Sequence, residues 1–114
     1  MALSEMTQKL IENTLSSFCE SRVPLHVRKQ VRLVFSIEDD AVSLIEERVA
    51  FNDASVWTKA PVARFRFNSE DKTWSLDYAD RHSKWHQYDR AKPSRNFNHL
   101  LKAVESDPTG IFWG

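Results

Sequence analysis

The run Pro61–Tyr88, PVARFRFNSEDKTWSLDYADRHSKWHQY, alternates apolar and polar residues through three successive segments separated by turn-forming clusters. A period of two is the mark of a half-buried strand. Ala63, Phe65 and Phe67 fall on one side of the first segment and Val62, Arg64 and Arg66 on the other, and Trp74, Leu76 and Tyr78 repeat the pattern in the second. The short polar connection Asn68–Thr73 predicts an antiparallel hairpin with Phe67 opposite Trp74, Phe65 opposite Leu76 and Ala63 opposite Tyr78. The same register sets Arg64 against Asp77. That pair is expected on an exposed outer face, where an ion pair contributes ~0 to 1 kcal/mol and serves register more than stability. A second turn, Asp80–Ser83, leads into Lys84–Tyr88. Two registers remain open there, one turning Trp85 toward the core and the other turning His86 and Tyr88.

Working back from this hairpin, Val31, Leu33, Phe35 and Ile37 alternate with Arg32, Val34 and Ser36, and Ala41–Val49 returns after the acidic turn Glu38-Asp39-Asp40. These segments predict a further hairpin. Three adjacent acids invite a calcium reading, but such a loop needs spaced oxygen ligands and a glycine bend, so a solvated turn is expected. Residues Ala50–Ala60 read as a loop anchored by Phe51 and Trp57. Upstream, Met6, Leu10, Ile11, Leu15 and Phe18 recur at helical spacing between Ser4 and about Glu20, with polar residues on the opposite arc. Val23 and Pro24 stop that helix, and Leu25–Gln30 forms a short turn or irregular approach. Cys19, at the edge of the apolar arc, reads as a small hydrophobe rather than a reactive thiol.

Downstream, Ser94 is the expected N-cap of a second helix whose Phe97, Leu100, Leu101 and Val104 fall within about 100° of arc. Asp107-Pro108-Thr109-Gly110 ends it in a turn, and Ile111, Phe112 and Trp113 are expected to dock, because three large side chains left in water would form a sticky patch. The fold class is therefore α+β: a five-stranded antiparallel meander sheet with N-terminal and C-terminal helices packed on one face. Residues 1–114 form one domain, large enough to fold without disulfides or metals.

Sixteen basic and sixteen acidic residues give zero formal net charge, which argues against a protein dominated by attraction to nucleic acid or anionic membrane. The single cysteine fits a reducing compartment. The chain has no apolar run of membrane-spanning length, and its opening MALSEMTQKL lacks the features of a signal peptide. A cytoplasmic location without membrane partners is expected.

The runs WSLDYADRHSKWHQYD (Trp74–Asp89) and DPTGIFWG (Asp107–Gly114), with the VP at Val23-Pro24 and the LIEER at Leu44–Arg48, resemble a family of small bacterial proteins whose domain has no assigned function. Tyr78-Ala79-Asp80 stands where a Tyr-Trp-x-Asp pattern is expected. The resemblance implies a bacterial cytoplasmic setting and carries no activity, cofactor or site residue with it.

Three constellations bear on function. Asp80, His82 and His86 offer metal-ligating atoms, but strand rise separates positions four apart by over ~10 Å, and structural zinc sites usually recruit cysteine pairs. No metal and no cofactor is expected. His86 with a carboxylate from Glu46 or Asp89 would be the minimum of an acid–base site, although a chain with two glycines has little material for the close backbone approaches that catalytic loops use. From Arg81 to Lys102, six basic residues and one acid are interleaved with Trp85, Tyr88 and Phe97, a composition suited to weak, salt-dependent contact with single-stranded nucleic acid. The leading reading is a non-enzymatic binding or adaptor module, engaging a protein partner or a second copy of itself. Its candidate contact surface comprises Arg64, Arg66, Asp77, Arg81, Trp85 and His86.

Overall fold

The computed structural model describes residues 3–113, and the expected α+β architecture is the one observed. Helix α1 (Glu5–Arg22) leads through a single 3₁₀ turn (Leu25–Val27) into strands β1 (Val31–Glu38), β2 (Ala41–Ala50), β3 (Asp53–Asn68), β4 (Thr73–Ala79) and β5 (Trp85–Gln87), and helix α2 (Phe97–Ser106) follows. The five strands lie in sequence order, each antiparallel to the next. Such a meander needs only short connections and raises no question of crossover handedness.

Ser4 caps α1, its Oγ accepting from the Thr7 N–H at 3.2 Å, while Glu5 and Arg22 sit at the ends where their charges oppose the helix dipole. The buried stripe of this helix is narrower than its apolar arc. Ile11, Leu15 and Phe18 are buried, whereas Met6 and Leu10 are exposed, because only one side of α1 reaches the sheet. Leu33, Val42, Leu44, Phe65 and Leu76 supply the sheet's side of the core, joined by Leu100 and Val104 from α2. Phe97 seals the α2 contact by packing its ring 4.6 Å from that of Phe65 and 5.1 Å from that of Trp74. Aromatic packing of this kind adds about 0.5–1.5 kcal/mol per pair to area burial.

Three local expectations are corrected. The segment Ala50–Ala60 is not an anchored loop: β2 ends at Ala50, Phe51 and Asn52 make the turn, and β3 begins at Asp53. Phe51 at this tip is fully exposed. β3 therefore runs well beyond β4, whose pairing starts at Ala63, and the molecule is elongated at 46 × 28 × 23 Å. Val62 does not share the outer face with Arg64. Leu44 pairs with Ala63 but Ile45 with Pro61, so Val62 is the extra residue of a β-bulge and turns inward to 4% exposure. Ser94 is not the N-cap of α2. Its backbone exchanges two hydrogen bonds with Trp74, which holds it extended, and Asn96 caps the helix through its side chain on the Asn98 N–H.

The tail docks through two of the three side chains expected to do so, Phe112 and Trp113, while Ile111 stays exposed. Phe112 is buried with its ring 4.9 Å from Tyr88, and the Trp113 indole N–H donates to the Val104 carbonyl at 2.8 Å. Asp107 organises the reversal. It ends α2 in the left-handed region (φ 40°), and its carboxylate accepts from the Phe112 and Trp113 N–H groups.

Candidate functional site

With both helices on one face, the other face of the sheet carries the residues of opposite parity. Asp77 lies there opposite Arg64, as the hairpin register requires, but its carboxylate is not the exposed partner of a weak pair. Asp77 is 1% exposed. Arg66 grips it with two bonds, Nε to Oδ2 at 2.7 Å and Nη2 to Oδ1 at 2.9 Å, and Arg64 Nε adds a third to Oδ2 at 2.9 Å. The expectation of an exposed pair fails because two long arginine stems lie over a short acid in mid-sheet and take its solvent space. Arg64 in turn places its Cζ 5.0 Å from the Trp85 ring centroid.

A second cluster of the same design occupies the far end of this face. Glu47, 6% exposed, sits in register between Arg32 on β1 and Lys59 on β3. Arg32 Nε donates to Glu47 Oε1, Lys59 Nζ lies 3.7 Å from Oε2, and Arg32 Cζ is 4.0 Å from the Trp57 ring centroid. Across the two clusters four cations meet two carboxylates, and Glu38, exposed at the end of β1, adds a third acid to this face. Between them runs a row of half-buried apolar side chains, Val34, Ile45 and Pro61, in lateral register.

The electrostatics of both clusters follow one rule. A carboxylate removed from water is costly unless paired and hydrogen-bonded, and here each is held by cations whose outer ends stay in solvent. Among the described residues, the only hydrogen bonds made by the Arg32 and Arg64 side chains are those from Nε, and the two side chains are 49% and 29% exposed. Stacking on tryptophan and anchoring through Nε fix the orientation of the two guanidinium groups before any ligand arrives.

The remaining sequence candidates lie elsewhere. Trp85 takes the open face and His86 the helix-bearing face, where it pairs in register with Tyr78 and stacks on it at 5.4 Å, while Tyr88 is buried beyond it. The register left open is thereby resolved. His86 Nε2 lies 2.7 Å from Asp80 Oδ2, and Asp80 also accepts from the His82 and Lys84 N–H groups, so the carboxylate ties the β4–β5 turn together. The His86 side-chain bond, followed by the Lys84 amide, holds the Asp80 carboxyl down at about 2. Arg81 projects from this turn and is exposed. Glu46 pairs with Arg48 at 2.7 Å, not with His86. Among the described residues no three His, Cys, Asp or Glu side chains gather to hold a metal ion. Of the rings in the Arg81–Lys102 stretch, Tyr88 and Phe97 are core residues, which leaves Trp85 as the one ring of the three that reaches the surface.

Two clefts flank Trp113. One, about 330 Å³, is lined by Arg22, Val23, Pro24, Val27, Arg48 and Trp113. The other, about 260 Å³, lies against Ala60, Asp80, Arg81 and the tail. The VP, LIEER, DYADR and IFW runs converge on them. Arg48 is engaged with Glu46, Arg22 lies over the Trp113 ring at 4.3 Å and Asp80 is held by His86, and the clefts read as the seat of the docked tail.

Arg32, Glu47 and Lys59 are not singled out by sequence, and Trp57 enters it only as the anchor of a loop. Arg32 and Glu47 were accessible to it, since a two-residue turn at Asp39-Asp40 sets them opposite each other on the outward side. Trp57 and Lys59 were not, because the acid- and serine-rich stretch before them reads as loop.

Comparison with known families returns one finding: a family model described as "Domain of unknown function (DUF3024)" matches residues 3–114. No curated protein and no solved structure matches the chain.

Proposed function

We propose, from the premise that this chain belongs to the DUF3024 family, that it is a single-domain, non-enzymatic binding module of the bacterial cytoplasm, and that it contacts a protein partner through the open face of its sheet. The observation that carries this reading is the pair of arginines, Arg32 and Arg64, each anchored through Nε on a buried acid and laid over a tryptophan. Such arginines lose little further conformational freedom on binding, and arginine and tryptophan are the side chains that dominate interface energetics.

Arg64, Arg66, Asp77 and Trp85 of the expected contact surface form one half of this platform, and Arg32, Glu47, Lys59 and Trp57 form the other. Arg81 and His86 belong to the β4–β5 turn at its margin and are assigned no contact here. The lone Cys19 thiol and the lack, among the described residues, of a helix long and apolar enough to cross a membrane accord with this setting.

The double variant Arg32→Gln/Arg64→Gln tests the proposal, because each acid keeps a second cation, Lys59 or Arg66, and the fold is retained. Proteins cross-linked to the intact chain in lysate should be lost from this variant and kept by an Arg48→Gln variant, which alters the Trp113 cleft. The reverse pattern would move the site to the cleft.

A further inference from the structure

On the helix-bearing side of the sheet, α1 packs over β1 and α2 over β4, and a hollow of about 330 Å³ lies between α1 and the start of α2. Its floor is aromatic. Phe67, Trp74 and Phe97 follow one another with ring centroids 5.0 and 5.1 Å apart. Leu10, Ile11 and Thr14 of α1 form one wall, and Leu10 stands there 60% exposed, a large apolar side chain with nothing over it. Sites for small molecules begin at about this size and share this make-up, an apolar lining with a few polar groups.

The polar groups of the lining are donors without acceptors. Arg95 is its one charged residue. The backbone on both sides of Arg95 is pinned, since Ser94 exchanges hydrogen bonds of 2.7 and 2.9 Å with Trp74 and Asn96 caps α2. Among the described residues neither the Arg95 guanidinium nor the Asn98 carboxamide has a hydrogen-bond or ion-pair partner, and the bonds at this corner run from backbone N–H groups to Ser94 Oγ and Asn96 Oδ1. Trp74 is 3% exposed, yet its indole N–H donates to no described group. No side-chain nitrogen or oxygen is fully enclosed without a partner, so this N–H keeps a narrow opening, and the hollow is what Trp74 lines.

Charges close by are turned away or engaged. At about 100° per residue, Glu5, Lys9 and Glu12 fall on the arc of α1 opposite Thr7, Leu10, Ile11 and Thr14. Asp71 Oδ1 accepts from the Thr73 N–H and hydroxyl, while Asp40 and Glu70 line a separate hollow beside Arg66. Along α2, Lys102 follows Asn98 by one turn, and Glu105 stands about 10 Å from Asn98 by helix rise. Arg95 therefore sets the sign of the site.

We infer that this hollow binds a small amphipathic monocarboxylate. The carboxylate lies on the planar fork of Arg95, with the Asn98 amide and the Trp74 N–H as further donors, and the apolar body covers the aromatic floor beneath Leu10. One guanidinium matches one carboxylate, whereas a phosphate dianion would call for a second cation that the lining lacks. The site lies across the sheet from Arg32 and Arg64 and does not depend on the open-face reading.

The probe is 3-phenylpropionate, titrated into the intact protein while the indole N–H resonances of the four tryptophans are followed. Trp74 should move while Trp57, Trp85 and Trp113 stay fixed, and Arg32→Gln/Arg64→Gln should bind the acid unchanged. Arg95→Gln, at an exposed position, should weaken binding about tenfold. Removing the charge from the ligand, as in 3-phenylpropanamide, should weaken it as much, and acetate, which lacks the apolar body, should leave Trp74 unmoved. Octanoate binding with the same dependence on Arg95 would support the class with an alkyl body in place of the aryl one. The amide binding as tightly as the acid would overturn the carboxylate contact, and a Trp74 signal unmoved by either acid at millimolar concentration would overturn the site. A peptide with a blocked N-terminus and a free C-terminal phenylalanine that binds far more tightly than both acids would replace the small molecule with a protein C-terminus.

Discussion

Arg66 and Asp77 form a bidentate pair in which the acid is almost fully buried and the arginine remains about half exposed. The asymmetry determines how the pair responds to mutation. Removing Arg66 and Arg64 together takes away all three hydrogen bonds to Asp77 along with the stems that cover it, and loss of the partners of a buried charge costs ~3–5 kcal/mol, less whatever the readmitted water restores. Partial exposure of both arginines favours the lower end, so Arg64→Ala/Arg66→Ala should destabilise by about 3 kcal/mol in urea unfolding. Arg64→Ala alone should cost about 1 kcal/mol, since the bidentate contact survives. A double variant as stable as wild type would mean that water replaces the arginines without penalty.

Asp107 joins two tasks that normally fall to different residues. As the left-handed C-cap of α2 it occupies a position where glycine is favoured, yet its carboxylate collects the Phe112 and Trp113 N–H groups. Asp107→Gly relieves the backbone and releases the tail. Release should dominate, giving a net loss of about 1–2 kcal/mol despite a better cap residue. Phe112→Ala, which empties the contact with Tyr88, should cost ~3 kcal/mol by thermal or urea unfolding. A stabilised Asp107→Gly variant would show that the tail contributes little.

The hairpin β3–β4 was legible residue by residue, since Phe67–Trp74, Phe65–Leu76, Ala63–Tyr78 and Arg64–Asp77 all pair as the alternation and the polar turn require. Alternation loses its hold where the phase slips. The bulge at Val62 inverts parity over the first half of β3, and this half carries Trp57 and Lys59, so part of the open face was hidden behind a single inserted residue. The face of Trp85 was illegible for a related reason: β5 spans three residues, too short for a pattern to choose a register. Burial of Asp77 depends on arginine stems folding over it, a tertiary effect that one-dimensional polarity does not contain.

Cys19 gives a chemical readout of how firmly α1 is seated. Burial raises its thiol to about 11, against an ordinary value of 9.0, which lowers the thiolate fraction at pH 8 about a hundredfold. Iodoacetamide should therefore label the native chain far more slowly than the chain in urea, by about a factor of a hundred before steric protection. Equal rates would mean that α1 detaches on the timescale of labelling.

Asp80 supplies the pH dependence of the β4–β5 turn. Its folded value of about 2 lies below the roughly 3.9 of an unfolded aspartate, so the carboxylate's contribution is fully present above about pH 4 and is lost as pH falls toward 2. The bonds at stake are those from His86 Nε2 and from the His82 and Lys84 amides. Acidification through this window should accelerate hydrogen exchange at His82 and Lys84 relative to their intrinsic rates, ahead of amides in the central strands β2 and β3. In Asp80→Asn the same two amides should exchange faster already at neutral pH and show no further step between pH 4 and 2, because a neutral amide neither holds the histidine as strongly nor titrates. Tyr78 provides an internal control, since its stacking on His86 depends on the histidine staying against the sheet. If the Tyr78 and His86 ring resonances shift together with the amide step in the wild type and are already shifted in Asp80→Asn, the carboxylate is what holds the histidine in place. Ring resonances that stay fixed through the acid step would assign the position of His86 to ring stacking instead.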